Sequence, residues 1–422
     1  MNTYCQIMSV NAQELVEVRP RLRGDALLLH PLLDGTKEVD EALRLNHVAL
    51  QPYVETLGVD SVQAVKFKLE TQFEPTDEEM LFAEEGVEAN INYLRARAVE
   101  GDFINQYDSQ TKALMAKMFT PSTPPHLASE YSQVAIFSQE MEEARFARIL
   151  ESQTKQAIEI RELGGVKLFL HLIVALVVPW PVCGTLSGLI QRIFIAIDQA
   201  LGSKLYALSR VRGVPQRSPE SFIEVLLQIF NVGMIYVHGV NSDNVRMPQS
   251  NRCFTFLADV TKTTRIPVLL SGTSALLYHL QKQPASGSEL LRNPYLEISS
   301  YSPEESSRVV KSYLEGLPSI IQERFCYKTA AQIFQKSEYQ RRLFVSALTA
   351  AVVDAMTNSE SDAKSQLGAA DEELARHKHL LFALSTARSG RPISSQYRER
   401  YQAALPLSVK YIDSRRTRGI TR

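Results

Sequence analysis

Two short apolar runs, each ending in small polar residues and separated by one helix's worth of chain, constrain this sequence most. The first, Met234-Ile235-Tyr236-Val237, stops at His238-Gly239-Val240-Asn241. The second, Ile266-Pro267-Val268-Leu269-Leu270, stops at Ser271-Gly272-Thr273, and the segment FTFLADVTKTTR (254–265) between them reads as a helix. Continuous apolar runs joined by a helical crossover are the pattern of strands covered on both faces in a parallel sheet. Ligand sites of open α/β sheets lie beyond the carboxyl ends of such strands. His238, Gly239, Ser271, Gly272 and Thr273 are therefore the first candidate site residues.

The preceding chain repeats the pattern. Gln133–Phe137 is a short strand signal, followed by a predicted helix over 139–163 (QEMEEARFARILESQTKQAIEIREL). After Gly164-Gly165 comes an apolar strand around Leu172–Val178, then Cys183-Gly184-Thr185-Leu186-Ser187-Gly188. The helix LIQRIFIAIDQALGSKL (189–205) places Leu189, Ile193, Ile197 and Leu201 on one face. With the helix FIEVLLQIF (222–230), the order over 132–282 is β-α-β-α-α-β-α-β-α, which implies a parallel sheet with helices on both faces.

Four regions are expected. Residues 1–125 form a largely helical N-terminal region, in which Thr76-Asp77-Glu78-Glu79 opens an acidic helix. The polar connector PSTPPH (121–126) leads to an α/β domain over 126–285. A helical lid covers 286–390, entered by the Ser302-Pro303-Glu304-Glu305 start signal and continued by helices near 328–335, 338–356 and 369–386. A basic tail occupies 391–422.

Composition adds exclusions. A net charge of -1 gives no bulk signal for nucleic acid or membrane, so only local charge informs. Cys5, Cys183, Cys253 and Cys326 form no CxxC, which points to a reduced, cytoplasmic chain with neither disulfide nor zinc framework. No basic-then-apolar leader opens the sequence. The apolar stretch Leu168–Val182 is too short to cross a bilayer and is broken by Pro179 and Pro181, so no membrane span is expected. His377 and His379 stand two apart on a helical segment, pointing to different sides, and no metal is expected.

A P-loop ATPase needs a glycine-rich turn and a Lys to hold phosphates, a Ser or Thr and an Asp for Mg²⁺, and a Glu beside that Asp to polarise water. The pattern GxxxxGK[ST] occurs nowhere in the chain. Its place, between the 134–137 strand and the next helix, reads Ser138-Gln139-Glu140-Met141-Glu142-Glu143. There Glu142 falls within a residue of the Lys position. Carboxylates at a helix start suit the helix dipole and repel a triphosphate. At the later strand His238-Gly239 stands where Asp-Glu belongs. ATP and Mg²⁺ are thus not expected as cofactors. An active ATPase with a relocated phosphate loop is the alternative, with Cys183–Gly188 its only glycine-bearing candidate; an unrelated α/β adaptor is another.

Together, IFIAIDQALGSKL (193–205), MIYVHGVN (234–241) and FTFLADVTKTTRIPVLLSGTSAL (254–276), with the helical segments after them, resemble the AAA+ transposition regulators TnsC, TniB and MuB, TnsC most of all. The resemblance spans about residues 130–360 in order and spacing and stops at both nucleotide-handling motifs. It implies a degenerate AAA+ domain with a lid, IPVLLSGT standing in the sensor 1 place. It further implies an inactive, oligomeric subunit that binds double-stranded DNA, an intact TnsC-like ATPase and transposase subunits. Lys204, Arg210 and Arg212, with Arg415, Arg416 and Arg418 of the tail, are the DNA-contact candidates; Lys262 and Arg265 are further cations.

Overall fold

The computed structural model describes residues 8–10, 61–100, 127–154, 157–163, 166–202, 219–245, 249–298, 300–358, 360–401 and 405. In chain order the elements begin with β1 (Met8–Val10), α1 (Val62–Thr71), α2 (Asp77–Glu100), β2 (Ser132–Phe137), α3 (Glu140–Thr154), β3 (Ile158–Leu163), β4 (Val166–Leu172) and β5 (Leu176–Pro179). There follow α4 (Leu186–Leu201), α5 (Pro219–Ile229), β6 (Ile235–Val240), α6 (Gln249–Thr264), β7 (Val268–Gly272), α7 (Ser274–Gln281), α8 (Pro284–Leu290) and β8 (Leu296–Ile298). The last are helices: α9 (Ser306–Glu315), α10 (Ser319–Arg324), α11 (Tyr327–Lys336), α12 (Arg341–Thr357), α13 (Ala363–Ala375), α14 (Lys378–Arg388) and α15 (Ser395–Tyr401).

The chain divides into two units, Met1–Val39 with Leu81–Leu296 and Asp40–Met80 with Glu297–Arg422. The sequence places boundaries near 125, 285 and 390; the contacts divide the chain after 39, 80 and 296. In the first unit a five-stranded sheet has the order β5-β6-β7-β2-β8, and β5–β6, β6–β7 and β7–β2 are parallel. The first strand of the sheet in chain order thus lies between the fourth and the fifth. The expected α/β class with a parallel sheet holds. Every residue of β2 and β7 is buried, as continuous apolar runs require. On α4 the predicted face is the buried one: Leu189, Ile193 and Ile197 are fully enclosed. Thr185 caps that helix by accepting from the Gly188 amide, and Gly202 closes it in the left-handed region.

One element differs from the sequence reading. The helix expected over 139–163 ends at Thr154, and Ile158–Leu163 is a strand. It pairs antiparallel with β4 and parallel with β1 in a separate three-stranded sheet. The alternation of Ile158, Glu159, Ile160 and Arg161 has the two-residue period of a half-covered strand, which outweighs helix propensity carried over from α3. The long strand expected near Leu172–Val178 is correspondingly two, β4 and β5. Likewise the helix expected over 369–386 is two, α13 and α14, broken at Arg376 and His377.

The second unit is helical around a core that includes Val65, Leu69, Tyr313, Phe334, Phe344 and Leu348. Residues 61–80 belong to it because their backbone carbonyls and acids meet the later helices. The Tyr313 hydroxyl donates to the Gln72 carbonyl at 3.1 Å, and Gln72 Nε2 donates to the Ser312 carbonyl at 2.8 Å. Thr76 and Glu79 form a reciprocal capping box at the start of α2. The buried Arg341 guanidinium reaches both Glu79 oxygens and the Glu74 carbonyl, with Nε donating to Tyr301 Oη at 2.8 Å. It also lies 4.4 Å from the centre of the Phe73 ring. The expected start signal is likewise used, Ser302 and Glu305 exchanging backbone-to-side-chain hydrogen bonds ahead of α9.

Candidate functional site

Three neighbouring parallel strands, β6, β7 and β2, bring their carboxyl ends together. Beyond β2 the chain has only Ser138 and Gln139 before α3 begins at Glu140. Neither is glycine, and two residues leave no length for a loop of amides to wrap a phosphate. Of the acids expected here, Glu140 faces outward, as does the neighbouring Met141, Glu142 is half-buried and Glu143 is buried. Glu143 points inward because it sits three and four residues before Phe146 and Ala147, both enclosed on the same helix face. The acid nearest the missing Lys position that turns into the sheet is thus Glu143, one residue beyond Glu142.

The Glu143 carboxylate fills the convergence of the strand ends. Its Oε1 accepts from the Gly239 amide at 2.6 Å and from the Ser271 hydroxyl at 2.6 Å. Tyr236 Oη lies 2.7 Å from Ser271 Oγ. Because Ser271 spends its proton on Glu143, Tyr236 is the donor to Ser271, giving a chain of like-oriented bonds. Gly239 has φ +84, a conformation open to glycine, which accompanies the shift of register between Val237 and Val240 in the β6–β7 ladder. Burial pushes Glu143 up to about 7, only partly offset by the Ser271 and Gly239 bonds. Phe146, Tyr236, Phe137 and Phe82 enclose this network, with ring centres about 6 Å apart.

His238 is half-buried beside Tyr236, at 5.8 Å between ring centres, and its carbonyl accepts from the Trp180 amide at 2.7 Å. Burial lowers its pKa to about 4, so the ring is neutral at neutral pH. At the end of β7, Gly272 stands where an added Cβ would lie 2.3 Å from the Val240 carbonyl, so the glycine serves strand packing. Thr273 caps α7 by accepting from the Ala275 amide at 3.4 Å. Ser271, Gly239 and Glu143 are brought together; Gly272 and Thr273 are taken up locally.

The glycine-bearing segment 183–188 follows β5 at the edge of the sheet. Gly184 has φ +61, and a Cβ there would lie 2.3 Å from the Asn244 carbonyl. Its glycine is explained by the turn and the close approach. Lys204, Arg210 and Arg212 lie in 203–218 and Arg415, Arg416 and Arg418 in 406–422, outside the described residues. Lys262 and Arg265 pair with Glu289 and Glu130 respectively. Among the described residues no cluster of three or more His, Cys, Asp or Glu side chains could hold a metal, and no helix is long and apolar enough to cross a membrane.

Tyr236 and the choice of Glu143 over Glu142 escape the sequence reading. The signal for Glu143 was its offset from Phe146; Tyr236 gave none, since an aromatic in a core strand reads as packing.

No protein-family model matches the sequence, and no curated protein matches it. Among solved structures the chain is similar to the ORC2 protein of Aeropyrum pernix, described as ADPNP and ADP complexes. The identity is 16%, over 73% of this chain and 79% of that one, with a TM-score of 0.38. It is also similar to Cdc6p of Pyrobaculum aerophilum, with 13% identity over 72% and 79% and a TM-score of 0.36. At such identities and scores nothing about ligand, partner or activity transfers to the present chain.

Proposed function

We propose that this chain is a non-hydrolysing AAA+-type subunit of a DNA-transposition assembly, of the TnsC kind. The observation that carries the first part is the Glu143 carboxylate, bonded to Gly239 and Ser271 where a P-loop ATPase holds phosphate and Mg²⁺. A buried carboxyl there takes up donors that a phosphate would use, and the two-residue connection before α3 removes the amide cradle. The order and spacing of 193–205, 234–241 and 254–276 support the second part.

In this reading the scaffold is kept for contact. AAA+ assemblies set each nucleotide site at a subunit boundary, so a subunit without turnover still offers a surface to its neighbour's site or ends a growing assembly. The partners are an intact TnsC-like ATPase of the same element, its transposase subunits and double-stranded DNA, in a homo- or hetero-oligomer in the cytoplasm. Arg210 and Arg212 are the first choices for contact with the partner's nucleotide, and the basic tail for DNA.

The test is to mix this protein with such an ATPase, DNA and ATP, and to follow turnover and assembly size. A changed ATPase rate or filament length with co-elution is expected. Neither change at several-fold excess, with no co-elution, rejects the reading.

A further inference from the structure

Away from the strand ends that carry the Glu143 network, the first unit holds a cavity of about 710 Å³. It lies at the amino end of β2, against α2 and the segment Asn293–Leu296. Its volume falls within the roughly 300–1,000 Å³ of small-molecule sites. The walls are fixed: Asn293 Nδ2 donates to the Ser132 carbonyl at 3.0 Å, and Gln133 Nε2 donates to the Pro294 carbonyl at 2.8 Å.

The second of these bonds leaves the Gln133 side-chain carbonyl with nothing to accept. Gln133 is 1% exposed, lines the cavity, and its Oε1 is buried without a hydrogen-bond partner. An orphaned buried acceptor is destabilising unless a donor arrives. Glu85 and Glu88, one turn apart on α2, line the same space. Against them stands the exposed Arg95, so the charged lining is net negative by one. Burial and the neighbouring Glu88 raise the pKa of Glu85, and burial with the charges of Glu85 and Glu88 raises that of Tyr131. Glu85, Glu88 and the Gln133 side-chain carbonyl each gain from a donor-bearing cation and none of the three from an anion.

We propose that this cavity binds a small organic cation carrying ammonium or guanidinium donors, held by Glu85, Glu88 and the Gln133 side-chain carbonyl. The carboxylates supply charge and the buried amide oxygen supplies direction. A bare divalent ion fits poorly, since no cluster of three or more His, Cys, Asp or Glu groups exists among the described residues. Free amines and the guanidinium of an arginine share this chemistry.

Calorimetric titration of the full chain with spermidine, and separately with arginine amide, tests the proposal, with inorganic phosphate at matched ionic strength as control. Saturable binding of at least one cation, and none of phosphate, is expected. Spermidine alone binding identifies an alkylammonium ligand; arginine amide alone identifies a guanidinium. The pair Glu85→Gln and Glu88→Gln should weaken binding about tenfold or more, as loss of charge-assisted bonds implies. Gln133→Leu should also weaken it. Should that buried variant fail to fold, the glutamine pair, at half-buried and exposed positions, keeps the test. Absence of saturable cation binding, or undiminished affinity in the glutamine pair, overturns the proposal.

Discussion

The Ser271 hydroxyl donates to the Glu143 carboxylate at 2.6 Å, joining the helix after β2 to the end of the neighbouring strand. The same oxygen takes the Gly239 amide of the next strand. One acid thus ties three strand ends, and its protonation becomes part of the fold's stability.

That linkage has a worked sign. The folded pKa of Glu143, about 7, lies above its ordinary 4.5, so its stabilising contribution is complete below 4.5 and lost as pH rises through 7. The full effect is on the order of 3 kcal/mol. His238 has the opposite sign: at about 4 against 6.5, its contribution is complete above 6.5 and lost as pH falls toward 4. The two oppose between 4.5 and 6.5, leaving a net decline above 6.5. Urea unfolding from pH 4.5 to 8 should show a near-level profile and then that decline above 6.5 in the native chain, whereas Glu143→Gln should gain stability between 4.5 and 6.5 and show no decline above it. Identical pH profiles for the two proteins contradict the assignment.

Restoring Asp at His238 and Glu at Gly239 should not create hydrolysis, because the connection between β2 and α3 remains two residues long. The change should destabilise by about 1–2 kcal/mol, since Gly239 sits at φ +84 where a side chain is strained although space is open. Mg²⁺-dependent turnover in that variant, surviving further purification, would show that a working phosphate site had been missed.

In the helical unit, Arg341→Met leaves the buried Glu79 without its guanidinium. Loss of one partner of a buried pair costs about 3–5 kcal/mol. The double variant with Glu79→Gln should lose less than the sum of the two, as coupled neighbours do. Additive losses in thermal or urea unfolding would show that the pair acts independently.

Deleting residues 412–422 removes Arg415, Arg416, Arg418 and Arg422. If the tail grips phosphates, the slope of log affinity against log salt for duplex DNA should flatten by up to about four contacts. An unchanged slope assigns DNA contact elsewhere.

Much of the sheet was legible because buried parallel strands need continuous apolar runs, and Met234–Val237 and Ile266–Leu270 supply them. The face of α4 was legible from its 3.6-residue period. What failed was the stretch after α3: charges at Glu159 and Arg161 look helical until the two-residue alternation with Ile158 and Ile160 is given more weight. The lack of a GxxxxGK[ST] pattern could be read directly. The inward place of Glu143 could not, because Glu140, Glu142 and Glu143 are chemically alike and only the helix face shared with Phe146 separates them. The place of residues 61–80 was hidden for a similar reason. Their hold on Ser312, Arg308 and Arg341 joins positions more than 200 residues apart.

Nucleotide binding by the purified chain tests the central claim most directly. Titration with ATP and with ADP, each with and without Mg²⁺, should give no saturable binding into the millimolar range and no turnover, because Glu143 occupies the strand ends. Saturable binding of either nucleotide, altered by Glu143→Gln, would contradict the account.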